Sequence, residues 1–215
     1  AEVVMRALII REEKHRTSLF VKLVVVPLCA IALLFVFVGV YSFAGANRIM
    51  RLPPETSEGF PANILPTYSN ASFTSLDGLT KLEGWFFRTA EAPESTVIMV
   101  HGYGRNRLQF GSDTVGIYNF FLEEGYNVLS FDLRHSGGSG GKISTFGHSE
   151  WQDILGAISY VRRTASTTDV ILYGFGSGCA ASLIAYERLP EPESDPDDLA
   201  YNIKVLGYDR SYVKA

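Results

Sequence analysis

The stretch LVVVPLCAIALLFVFVGVYSFAGA, Leu23–Ala46, holds no charged side chain, and this sets the first limit on what the chain can become. A helix rising 1.5 Å per residue over that length crosses the ~30 Å hydrocarbon layer of a bilayer. A core helix of a soluble domain usually carries a polar stripe, and this run has none. The bilayer is therefore the predicted partner of residues 23–46, as a transmembrane anchor. Arg6, Arg11, Lys14, Arg16 and Lys22 precede the run, whereas only Arg48 and Arg51 follow it closely. That bias predicts a cytoplasmic tail over residues 1–22 and an extracytoplasmic location for everything after the span. Ala44–Asn47 has the small-x-small form of a cleavage site, but the run exceeds the ~7–15-residue apolar core of a secretory signal, which favours an uncleaved anchor. VVPLC, ending at Cys29, makes a poor lipid-attachment site, because Leu28 stands where a small residue is expected and the apolar run continues past it.

Residues 47–66 read as an extended linker, with four prolines between Leu52 and Pro66. Residues 67–215 then form one predicted domain, and at 47% apolar the chain can supply a buried core. The net charge of −4 is owed to Pro190–Asp198, which carries five carboxylates and no base. Without that segment the balance is near neutral and no large basic cluster exists, so nucleic acid is not an expected partner. The acidic segment lacks the carboxylate and glycine spacing of a calcium loop and reads as a solvated insertion. Cys29 in the apolar run and Cys179 far from it imply neither a disulfide framework nor a metal site.

The periodicity of the domain alternates between strand and helix. Two runs in Ser72–Arg88 flank Asp77-Gly78, a pair that supplies the backbone angles of a hairpin. Thr96–Gly102 is a β-branched run ended by glycine, as in a strand buried on both faces. A helix over Gly111–Glu124, a strand over Tyr126–Asp132, a helix over Ser149–Arg163, a strand over Asp169–Gly174, a helix over Ser177–Glu187 and a strand over Ile203–Asp209 follow. Ser149 with Gln152 has the spacing of a capping box. The pattern predicts an α/β fold: a mostly parallel sheet of about six strands with helices on both faces.

In such sheets chemistry collects beyond the carboxyl ends of the strands, and three glycine-rich loops stand there. They are HGYGRN (His101–Asn106), DLRHSGGSGG (Asp132–Gly141) and YGFGSGCAAS (Tyr173–Ser182). With these in order, the chain from about Ser72 to Tyr212 resembles the α/β-hydrolase family, in particular membrane-anchored bacterial members related to serine esterases and aminopeptidases. The resemblance makes His101 to Gly104 an H-G-x-G oxyanion loop, with His101 as its brace. It matches Asp132, Arg134, Gly137 and Ser139 to a D-x-R-x-x-G-x-S stretch. It lays Gly174, Gly176 and Gly178 on the G-x-S-x-G nucleophile elbow.

In that family a serine oxygen attacks an ester or amide carbonyl, a histidine takes its proton, an acid orients the histidine and backbone N–H groups hold the oxyanion. The alignment puts Gly176, which has no nucleophile, where the serine belongs. Ser177, one residue beyond, is the candidate catalytic residue. If it stood at the bend, however, Phe175 and Cys179 would take the two places that need small residues. With Gly176 at the bend, the resemblance implies instead that the N–H groups of Tyr103 and Ser177 form the oxyanion hole, with Gly102 and Gly176 beside it. The family's acid and histidine follow later strands, so a further carboxyl-terminal part is expected. Asp209 matches an acid position used by some relatives and reads equally as a strand-end residue. His15, His135 and His148 lie in the tail and loops. Asp132 and Arg134 are expected to tie loops together.

A competing reading takes Gly176–Ala181 as the G-x-G-x-x-A of a dinucleotide site. It comes late in the chain, Asp209 is too distant to hold a ribose, and an exported domain has little access to a nucleotide. No cofactor or metal is therefore expected. The resemblance implies a small ester or peptide ligand, bound by a catalytically impaired hydrolase-fold protein, by a working enzyme that uses Ser177 or is completed by later residues, or by a non-catalytic scaffold.

Overall fold

The computed structural model describes residues 5–6, 18–53, 55, 62–108, 113–167, 169–189 and 203–208, the last as backbone only. Residues 1–49 and 50–215 are separate compact units.

The first unit is a helical run, Ser18–Met50, with no buried residue in its apolar stretch. Its α-helical part is α1, Val26–Met50. A wider π-helical turn precedes it over Val21–Val25, with the N–H of Val26 bonded to the carbonyl of Val21. Pro27 accounts for that turn: it offers no N–H to residue 23, and its ring crowds that carbonyl. The helix continues four residues past the predicted anchor, taking the first residues read as linker. No breaker intervenes before Pro53, and Arg48 in the last turn complements the helix dipole.

The second unit is built on a six-stranded sheet. Its strands are β1 (Tyr68–Thr74), β2 (Lys81–Phe87), β3 (Thr96–Val100), β4 (Asn127–Phe131), β5 (Val170–Phe175) and β6 (Ile203–Tyr208). Their order is β1-β2-β4-β3-β5-β6. β1 and β2 form the expected hairpin, antiparallel with Thr74 opposite Lys81, and β2 runs antiparallel to β4. β3 pairs in parallel with β4 and β5, and β5 with β6. At the hairpin tip Gly78 has φ 71°, and the N–H of Leu79 is bonded to Asp77 Oδ1 at 2.9 Å.

Three helices sandwich the sheet: α2 (Thr114–Glu123), α3 (Trp151–Thr164) and α4 (Ser177–Glu187). On one face Ile98, Val100, Leu129, Phe131 and Leu172 pack against Ile154, Ile158 and Val161 of α3 and Ala181 and Ala185 of α4. On the other, Val97, Met99, Val128 and Phe87 pack with Tyr118 of α2. Every residue of β3 and β4 is buried, which is why their sequences run apolar without alternation.

The capping box expected at Ser149 does not form. α3 starts at Trp151 and its N-cap residue is Glu150. Gln152, which would have reached back to the N–H of Ser149, instead offers its side-chain oxygen to Arg134. The N–H of Ser149 is bonded to Thr145 Oγ1 at 2.8 Å. The expected start of α2 at Gly111, the acidic segment 190–198, His15 and Asp209 lie outside the described residues.

Candidate active site

β4, β3 and β5 are neighbours in the sheet, so the three glycine-rich loops leave adjacent parallel strands at one edge. The strand-to-helix turn between β5 and α4 has φ 53° and ψ −120° at Gly176, a strained bend that L side chains rarely adopt. Its three glycines have different reasons to be glycine. A Cβ on Gly178 would stand 2.4 Å from the carbonyl oxygen of Val100 and 2.5 Å from that of His101. One on Gly174 would stand 2.6 Å from the backbone of Cys179. One on Gly176 would meet nothing within 4 Å. The outer pair lets α4 press against β5 and the end of β3, while the middle position projects into open space. Ser177 is the first residue of α4, one place beyond the bend.

His101 is buried and engaged at both ring nitrogens: Nδ1–H donates to the carbonyl of Gly102 at 2.8 Å, and Nε2 accepts from the N–H of Leu133 at 2.9 Å. It locks the first loop to the second. Asp132 and Arg134 are also braces, each with a different partner. Asp132 accepts from the N–H of Arg107 at 2.7 Å, from its Nη2 at 2.6 Å and from the N–H of Gly138 at 2.7 Å. Arg134 donates to Asp153 at 2.7 Å and to Ser75 and Asp77 at 3.0 and 3.1 Å, so it fastens the second loop to α3 and the hairpin. Burial works against the Arg134 guanidinium, but the bonds and charge of Asp153 outweigh it and hold its pKa above the ordinary value. Ser139 Oγ bridges the carbonyl of Asp132 and the N–H of Glu83, at 2.6 and 2.9 Å.

Solved structures share this fold. The Pyrococcus furiosus esterase Pf2001 is 28% identical and superposes with a TM-score of 0.58 over 66% of this chain and 53% of its own. The domain has the α/β-hydrolase fold. Among curated sequences the chain is similar to the lysophosphatidylserine lipase ABHD12 of Xenopus tropicalis, 29% identical over 54% of this chain and 29% of that protein. It is also similar to the dipeptidyl aminopeptidase BIII of Pseudoxanthomonas mexicana, 30% identical over 55% of this chain and 17% of that protein. The match spans less than two fifths of the length of these relatives. No family model matches the chain.

Two further segments of the hydrolase-fold domain meet the site loops, and neither was evident from the motifs. The first is the loop before α3. Phe146, at φ 57°, stacks on Tyr103 of the oxyanion loop with ring centroids 4.2 Å apart. Its neighbour Gly147 lies so close to α4 that a Cβ there would be 3.3 Å from the carbonyl of Ser177. The only sequence hint was Gly147 itself, whose φ of 104° suits glycine. The second comprises residues 50–53 and 55. The carbonyl of Met50 accepts from the N–H of Ser144 at 2.9 Å, and that of Leu52 accepts from His135 Nε2 at 3.1 Å. Glu55 accepts from Arg105 Nη1 at 2.9 Å through its carboxylate and from Asn106 Nδ2 at 3.1 Å through its carbonyl. Met50, Leu52 and Glu55 therefore lie against residues 105–106, 135 and 144.

Glu150 organises the loop that carries Phe146. Its buried carboxylate accepts from the N–H groups of Thr145 and Gly147 at 2.6 and 2.8 Å, and from the hydroxyls of Ser144 and Thr145 at 3.0 and 2.7 Å. Burial alone would raise its pKa, but these donors outweigh it and hold the value below the ordinary glutamate range. Burial pushes the His101 imidazole down, which keeps it neutral. Both shifts stabilise the fold above the unfolded pKa, and the contribution disappears as pH falls through the folded value. Acid loss thus begins below about pH 6.5 through His101, and below about pH 4.3 through Glu150. Glu150→Gln should cost roughly 1.5–3 kcal/mol near neutrality. Melting curves across pH should show the gap to the wild type widest near pH 7 and closing as pH drops below about 4.3. A gap that stays constant to low pH would contradict this account of Glu150.

Proposed function

We propose that the chain is a membrane-anchored α/β-hydrolase-fold protein whose acyl-transfer chemistry is impaired, because Gly176 occupies the place of the nucleophile. Helix α1 is the anchor, residues 1–22 stay in the cytoplasm, and the domain stands on the other side. The observation that carries the reading is the bend itself. Gly176 has the strained turn and the open space above it that an elbow gives to a serine, but it offers no oxygen to that space.

The rest of the site supports binding. The N–H groups of Tyr103 and Ser177 are the donors assigned to a carbonyl oxygen placed over Gly176, and His101 with Asp132 fixes the loops that hold them. A small ester or peptide fits the relatives' names, a lipase, an esterase and an aminopeptidase. In a working member such donors stabilise charge on an attacked carbonyl; without the attacking oxygen they can only hold the ground state. The second reading is an active serine hydrolase in which Ser177 attacks, with an acid and a histidine from residues beyond those described. It draws on the position of Ser177 one step past the bend.

A fluorophosphonate probe separates the two. The full chain in detergent should form no covalent adduct, and Ser177→Ala should behave identically, as read by intact-protein mass spectrometry. An adduct mapped to Ser177 and lost in Ser177→Ala would establish the second reading instead.

A further inference from the structure

We propose that the rim of the domain formed by Leu52, Lys142 and Phe146 rests on a phospholipid surface, so that the candidate site opens at the membrane and not into bulk water. The inference rests on the reading of α1 as an anchor. Its own ground is the stretch of residues 50–53 and 55. Met50 is the last residue of the apolar helix, and its carbonyl is held 2.9 Å from the N–H of Ser144. Two residues beyond Ser144 is Phe146, within about 7 Å of chain length, and Phe146 stacks on Tyr103. The chain therefore enters the domain at the edge of the candidate site.

The composition of the rim fits a lipid interface. Leu52 and Phe146 are each 46% exposed. Lys142, four residues before Phe146, is exposed. The nearby carboxylates are engaged, Glu55 with Arg105 and Glu150 inside its own loop. Apolar side chains flanked by bases are the pattern that settles at the boundary between headgroups and acyl chains.

The test uses the full chain with Cys29→Ser and Cys179→Ser, reconstituted into vesicles of phosphatidylcholine and phosphatidylglycerol. An environment-sensitive fluorophore is attached in turn to Phe146→Cys, Lys142→Cys and Glu94→Cys. Glu94 precedes β3, at the opposite end of the sheet from the loops, and serves as the control. Lys142→Cys is included because Phe146→Cys removes a ring from the stack on Tyr103. Lipids bearing a nitroxide near the headgroup should quench the labels at 142 and 146 at least about twofold more than the label at 94. A chain that floats with the vesicles but shows no more quenching at 142 and 146 than at 94 overturns the docking and leaves the anchor standing. A chain that does not float overturns both.

Discussion

Gly178→Ala should destabilise the full chain by on the order of 3 kcal/mol or more, while Gly176→Ala, two residues away at the strained bend, should cost about 1 kcal/mol and at most roughly 3. The difference lies in what each new methyl meets. At Gly178 it falls 2.4 Å from one backbone oxygen and 2.5 Å from another, both at the end of β3, and neither can retreat without parting the strand from α4. At Gly176 it meets nothing, so only the positive φ resists. For a domain of this size each kcal/mol moves Tm by about 2–4 °C, so thermal unfolding in detergent, followed through Trp85 and Trp151, resolves the two. Equal losses would mean that the turn is not packed as described. Gly174→Ala should fall with Gly178→Ala, because its methyl would reach the backbone of Cys179 at 2.6 Å.

Asp132→Ala should lose about 3–5 kcal/mol, because it leaves a guanidinium buried without its counter-charge. Arg107 has a side chain only 10% exposed, lies against the ring of Trp85 and directs two nitrogens at this carboxylate. The N–H groups of Arg107 and Gly138 would be stranded with it. Removing both charges is gentler than removing one, so Asp132→Ala with Arg107→Met should be more stable than Asp132→Ala alone. Urea titrations of the two single variants and the double variant form the cycle. Additive losses would show that the pair carries no coupling and that Asp132 acts only through backbone N–H groups.

Much of this architecture was legible in the sequence because its signals are local. Thr96–Val100 and Asn127–Phe131 run apolar because both faces are covered, and Asp77-Gly78 marks the hairpin by its backbone angles. The glycine spacing at 174, 176 and 178 was readable as an elbow, since each position answers to one turn of chain. What escaped the sequence depends on the register of distant segments. Arg107 meets Asp132 only because β3 and β4 lie side by side, and no periodicity links residues so far apart in the chain. Ser149 and Gln152 have capping-box spacing, but Arg134, brought in by the sheet, draws Gln152 away. The stacking of Phe146 on Tyr103 arises from two loops with no shared pattern. The helix passed its expected end at Ala46 because Asn47–Met50 holds nothing that stops a helix.

Of the three glycines at this turn, only the middle one has room for a side chain, and there the positive φ alone resists it. A change at either neighbour is removed by the fold before any chemistry can be selected, whereas a glycine codon ending in a pyrimidine lies a single base from serine. The turn therefore keeps its shape without a hydroxyl, and could acquire one in a single base change.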